Sequence, residues 1–214
     1  MRNIIISEIE KNKIIVIVRG VAKDDLIPLA EAMYKGGIRL VECTYDATGK
    51  LSDEENAANI KALVDHFDGK MTVGAGTVLT EKQVELTKKA GGAFIISPNT
   101  DSDVIKKTRE LGLVSIPGAL TPTEVAAAHK AGADFVKIFP VDVYGPKYVK
   151  TISAPLSHIK LLAVGGITPD NMGDYLKAGA CGVGVGSGIV NKKMIADGNF
   201  DAIVEMAKEY TGKL

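Results

Sequence analysis

Eight apolar runs of strand length punctuate the sequence, at 14–18, 38–43, 71–73, 93–96, 113–116, 135–139, 160–164 and 182–185. Between most of them lie longer stretches of mixed charge, clearest over 24–35, 53–67, 81–90, 101–111, 123–131, 170–178 and 201–210. Cap signals precede several of these helical stretches: Thr80, Thr121 before Pro122, and Thr168 before Pro169. Glycines follow their ends at Gly36 and Gly37, Gly91 and Gly92, Gly112, Gly132 and Gly179. Strands that alternate with helices form a parallel sheet, because each crossover helix returns the chain to the same end. Two architectures satisfy that rule. A doubly wound open sheet that binds a dinucleotide carries G-x-G-x-x-G after its first strand, and Arg19-Gly20-Val21 does not supply it. The expectation is therefore an α/β fold, a closed (β/α)8 TIM barrel. Residues 1–214 form a single domain with a short N-terminal helix.

Charge and cysteine usage narrow the function classes. Lys+Arg and Asp+Glu number 26 each. The resulting zero net charge argues against nucleic acid or an anionic membrane as partner. Cys43 and Cys181 lie far apart in apolar segments, so no disulfide framework is implied. No apolar run approaches the roughly 18 residues of a membrane span, and residues 1–13 lack a signal-peptide core. The expected setting is the cytoplasm.

In a barrel, reactive groups gather at the C-terminal ends of the strands. Arg19 ends the first run on the same face as Ile15 and Ile17. It reads either as an anion clamp or as a rim Arg paired with an acid. Glu42, in Leu40-Val41-Glu42-Cys43, is costly to ionise unless paired or wet, so it is either a general acid/base or half of a buried ion pair. Lys137 is the sharpest feature, set between Phe135-Val136 and Ile138-Phe139. Desolvation favours its free amine, which can attack a ketone and form a Schiff base. The competing reading is a structural Lys that bridges barrel carboxylates. Thr77 follows Gly74-Ala75-Gly76 and is either a carboxylate-binding hydroxyl or a helix cap. Pro98 and the Pro117-Gly118 step read as pocket walls. Gly165 and Gly166 after the seventh strand, with Gly186 and Ser187 after the eighth, occupy the positions where barrels hold phosphate against backbone N–H groups. His66, His129 and His158 show no metal-ligand spacing, which weighs against a metal-dependent mechanism and leaves open only an oxygen-ligated Mg²⁺ site; no metal and no other cofactor is expected.

These segments together resemble a known family. Ile17-Val18-Arg19-Gly20, Gly37-Ile38-Arg39-Leu40-Val41-Glu42, Gly74-Ala75-Gly76-Thr77-Val78, Ser97-Pro98, Pro117-Gly118, Lys137-Ile138-Phe139-Pro140, Gly165-Gly166 and Gly186-Ser187 fall in order on successive strands. The set is similar to the 2-keto-3-deoxy-6-phosphogluconate / 4-hydroxy-2-oxoglutarate aldolases and the related 6-phosphogalactonate aldolases. The resemblance implies a metal-free class I aldolase that forms a Schiff base, acts on a small-molecule keto acid, releases pyruvate and assembles as a homotrimer. It implies Lys137 as the Schiff-base lysine, Glu42 as the proton shuttle and Thr77 as a ligand of the pyruvyl carboxylate. Phe139 becomes a pocket aromatic, and Gly165, Gly166, Gly186 and Ser187 the phosphate site. One position departs from the pattern. Many phosphogluconate members carry Arg four residues after the Glu, where this chain has Asp46. Other relatives place Arg at the end of strand one, as Arg19 stands here, which makes Arg19 the expected clamp. Two rival readings use the same barrel: a phosphosugar isomerase or epimerase, and a non-catalytic phosphosugar-binding barrel.

Overall fold

A computed structural model describes residues 1–214. The apolar runs become parallel strands: β1 (Ile14–Val18), β2 (Leu40–Thr44), β3 (Thr72–Gly76), β4 (Phe94–Ile96), β5 (Val114–Ile116), β6 (Gly118–Ala119), β7 (Val136–Ile138), β8 (Leu161–Val164) and β9 (Ala180–Val185). Their order in the sheet is β5-β4-β3-β2-β1-β9-β8-β7-β6. The expected eight strands appear as nine because Pro117 has no N–H to donate and interrupts the ladder. Its carbonyl still accepts from the Lys137 N–H at 2.9 Å. β5 pairs with β4 and β6 with β7, so the two pieces are one barrel strand and the row closes through it.

The helices are α1 (Arg2–Asn12), α2 (Lys23–Lys35), α3 (Asp53–Phe67), α4 (Glu81–Lys89), α5 (Ser102–Glu110), α6 (Pro122–Ala131), α7 (Pro146–Ser153), α8 (Met172–Lys177), α9 (Lys192–Ala196) and α10 (Phe200–Thr211). Thr121 accepts from the Glu124 N–H, and Glu124 answers back at the Thr121 backbone, so α6 opens on a capping box with Pro122 in its first turn. Thr80 caps α4 as expected. Thr168 does not cap a helix. Thr168 and Asn171 bond reciprocally across a turn that begins at Thr168-Pro169, and α8 starts two residues later than the expected 170. α7 was not legible, because Gly145-Pro146 reads as a turn. Its buried contacts are only Val149 and Ile152.

Period two divides each strand between two cores. Ile15, Leu40, Phe94, Ile96, Val114, Ile116, Phe135 and Leu162 fill the barrel, and Ile9 of α1 plugs its N-terminal end. The alternate residues, Val16, Val41, Val73, Ile95 and Val183 among them, pack outward under the helices. Asp134 fastens this lower end. It accepts from Arg2 of α1, from Arg109 of α5 at 2.6 Å and from the Ser115 N–H at 3.0 Å.

Candidate active site

The interior face that is apolar low in the barrel becomes charged near its top. Two residues above Leu40 on β2 stands Glu42, 2% exposed, and two above Phe135 stands Lys137, 6% exposed. Glu42 is in register with Ile17 of β1 and Gly74 of β3. Its place depends on Gly76, because a Cβ at 76 would fall 1.6 Å from Glu42 Oε1. The Lys137 Nζ lies 4.8 Å from the centroid of the Phe139 ring.

Neither Glu42 nor Lys137 joins an ion pair with any other residue. No side-chain nitrogen or oxygen is sealed away without a partner, so the tips of both residues keep some accessible surface. That disposes of the reading of Lys137 as a lysine bridging barrel carboxylates, and of Glu42 as half of a close ion pair. Burial pushes the Glu42 carboxyl above its ordinary value, opposed by the positive charges of Lys137 and Arg19. Burial likewise pushes the Lys137 ammonium below its ordinary value. Glu42 opposes that shift and Arg19 adds to it. Both shifts favour the neutral forms, an amine that can attack and an acid that can give and take a proton.

Arg19 stands just beyond β1, exposed, and its Nη2 donates to Thr77 Oγ1 at 3.0 Å. Thr77 adopts φ 56°, a left-handed conformation that costs a β-branched residue energy. The bond to Arg19 fixes the hydroxyl at the cavity wall.

A cavity of about 340 Å³ opens at the C-terminal end of the strands. Arg19, Thr77, Pro98, Lys137, Phe139, Gly165, Gly166, Gly186 and Ser187 all line it. Three predicted positions are not in the wall: Glu42 is buried short of it, and Pro117 and Gly118, expected as pocket walls, do not reach it, Gly118 packing instead against the Ser97-Pro98 backbone. Ile17, Val164, Ile167, Gly184 and Gly188 also line the cavity and were not singled out from sequence. Ile17 was within reach, since it shares a face with Arg19. The glycine loop after β8 is packed tightly: a Cβ at Gly166 would lie 2.5 Å from that of Asp142, and Gly166 has φ 60°. At Gly186 an added Cβ meets nothing within 4 Å.

Asp46 is turned away from the cavity. Its carboxylate accepts from Thr48 N (2.9 Å), Thr48 Oγ1 (2.7 Å), Lys50 N (2.8 Å) and Leu51 N (3.0 Å), closing the loop after β2. Those bonds hold its pKa down to about 2, with the Thr48 hydroxyl contributing most. His66 bonds Glu31 at 3.0 Å, and the rings of His129 and His158 pack edge to face at 5.1 Å. No group of three or more His, Cys, Asp or Glu side chains is placed to hold a metal ion.

Comparison with known proteins gives a consistent result. The KDPG and KHG aldolase family model matches residues 5–206. A 2-dehydro-3-deoxy-6-phosphogalactonate aldolase of Escherichia coli K12 is 37% identical over 178 residues, spanning 83% of this chain and 84% of the relative. A solved structure described as native KDPGal superposes with a TM-score of 0.84 at 33% identity, covering 94% of this chain and 93% of that one. The KDPG aldolase from Legionella pneumophila, with pyruvate captured as a covalent carbinolamine, gives 0.82 at 28% identity over 92% and 93%.

Proposed function

Because the chain belongs to the KDPG and KHG aldolase family, we propose that it cleaves a 2-keto-3-deoxy sugar acid, or 4-hydroxy-2-oxoglutarate, to pyruvate and an aldehyde through a Schiff base on Lys137. The observation that carries this reading is a buried, unpaired lysine in the wall of the cavity, with a buried carboxyl near enough to act on its charge. Neutral Lys137 Nζ adds to the C2 ketone. Glu42 delivers a proton to the carbinolamine oxygen, water leaves and the imine forms. The protonated imine accepts the electron pair of the C3–C4 bond as the C4 hydroxyl loses its proton to Glu42. The aldehyde departs. Protonation of the remaining enamine at C3, followed by addition of water, releases pyruvate and restores the amine.

The other residues bind and orient. Thr77, with Arg19 bonded to it, holds the pyruvyl carboxylate, and Arg19 takes the role that an Arg at the position of Asp46 has in many phosphogluconate members; the Arg19–Thr77 bond supports this reading. Pro98 and Phe139 wall the reacting carbons. Gly165, Gly166, Gly186 and Ser187 offer backbone N–H groups to the phosphate of the aldehyde half. The relatives named above include a phosphogalactonate enzyme and a phosphogluconate enzyme, and either substrate has the groups this cavity addresses. We also propose that residues 1–214 act as one domain, in the cytoplasm and as a homotrimer. The resemblance to the family supports the trimer. Two free cysteines and the lack of any helix long and apolar enough to cross a membrane fit the location.

The test is intact-mass analysis after incubation with pyruvate and borohydride, followed by peptide mapping. One reduced pyruvyl adduct on Lys137 is expected. Lys137→Ala should lose the adduct and at least about 1,000-fold in cleavage rate, whereas Glu42→Gln should still be trapped yet turn over about 100-fold slower. A folded protein that binds phosphosugars but forms no adduct would be an isomerase or a binding protein instead.

A further inference from the structure

We propose that Lys192 is a specificity-determining residue that holds the anionic end of the aldehyde half, which deepens and rests on the aldolase reading above. β1 and β9 are adjacent, so the segments that leave them, Arg19-Gly20 and 186–192, run side by side at the cavity mouth. Arg19 leans away from this seam toward Thr77 across the mouth. The space it leaves lies over Gly20, which has φ 63° and no side chain. The Lys192 Nζ sits 4.0 Å from the point where a side chain there would begin. The backbone under Lys192 is fixed, since the Asn191 side chain accepts from the N–H groups of Lys193 and Met194. The ammonium forms no ion pair with the chain.

The charge of the cavity is one-sided. The only ionisable side chains in its wall are Arg19 and Lys137, and no carboxylate joins them there. Lys137 is committed to the ketone and Arg19 to the carboxylate end of the substrate. A phosphate seated on the Gly186-Ser187-Gly188 loop would thus have backbone donors but no full positive charge of its own. Lys192, four residues beyond that loop and outside the wall itself but beside Gly20, the neighbour of the wall residue Arg19, supplies it as a point charge.

The experiment runs the reaction toward condensation, with pyruvate as donor and glyceraldehyde 3-phosphate or glyceraldehyde as acceptor. For Lys192→Gln, the ratio of kcat/KM for the phosphorylated over the plain acceptor should fall about tenfold, through KM. Lys192→Arg should restore most of it, and Lys193→Gln on the neighbouring exposed residue should leave it unchanged. An unchanged ratio in Lys192→Gln, or an equal loss with both acceptors, overturns the assignment. Borohydride trapping of pyruvate on the wild-type protein, which does not involve the phosphate end, tells this failure apart from failure of the aldolase reading. A trapped adduct with an unchanged ratio sinks only the role of Lys192, while no adduct sinks both.

Discussion

At the scale of single residues, the site is a set of spatial exclusions as much as of functional groups. Gly76 shows this most sharply. The Glu42 carboxylate occupies the volume that any side chain at 76 would need. Gly76→Ala should leave the far-UV spectrum and the pyruvate adduct in place while lowering kcat about 100-fold, because a displacement of about 1 Å in a proton-transfer group costs that much. Steady-state kinetics beside borohydride trapping checks it. This dependence was not legible in the sequence, where Gly74-Ala75-Gly76 reads as room for a substrate to approach the backbone or as a tight strand-to-helix turn. Lys137 was legible, because an ammonium between two apolar pairs conflicts with burial unless it has work to do. Asp46 was visible as a change of charge, but its use as the fastener of its own loop depends on four bonds that no spacing announces.

Among elements, the strands were read more reliably than the helices between them. A buried parallel strand needs only a short apolar run between glycines, and most of these runs are plain. The fifth strand of the barrel was cut short at 116 because Pro117 looks like a terminator, whereas the chain continues through it and pairs again at Gly118. Thr168-Pro169 misled in the other direction, since the hydroxyl closes a turn rather than a helix. α1 carries a prediction of its own. Ile9 has no exposed surface and is the only fully buried residue of that helix, packed into the lower end of the barrel. Ile9→Ala should destabilise the fold by about 2–5 kcal/mol in urea unfolding, with the pyruvate adduct still formed at the opposite end.

For the whole molecule, the two buried charges trade stability for chemistry. The Glu42 carboxyl is raised by burial, so the folded state holds its proton at a pH where the unfolded chain has lost it. Stability therefore falls as pH rises above the ordinary carboxyl value of 4.5. Lys137 is lowered by burial, so the folded state sheds its proton before the unfolded chain does. Stability therefore recovers only as pH climbs toward 10.5. Between those limits the pair costs most. The double variant Glu42→Gln/Lys137→Met should be inactive yet more stable than wild type by about 1–4 kcal/mol near neutrality, with the gap narrowing at either extreme. Urea melts across the pH range would show it, and a pH-independent gap would mean that packing, not charge, sets the difference.

The interruption at Pro117 divides the molecule unevenly in chemistry though not in architecture. Everything before it, through β5, carries Arg19, Glu42, Thr77 and Pro98, to which we assign the acid and the grip on the pyruvyl end. Everything after it carries Lys137, Phe139 and the glycine loops, to which we assign the amine and the cradle for the aldehyde end. Neither half-barrel holds a working set, and the backbone bond from Lys137 to Pro117 lies on the suture itself. If the polypeptide were severed there, two inert fragments would result, and turnover would return only by reciprocal complementation. On that assignment, catalysis becomes a direct readout of ring closure.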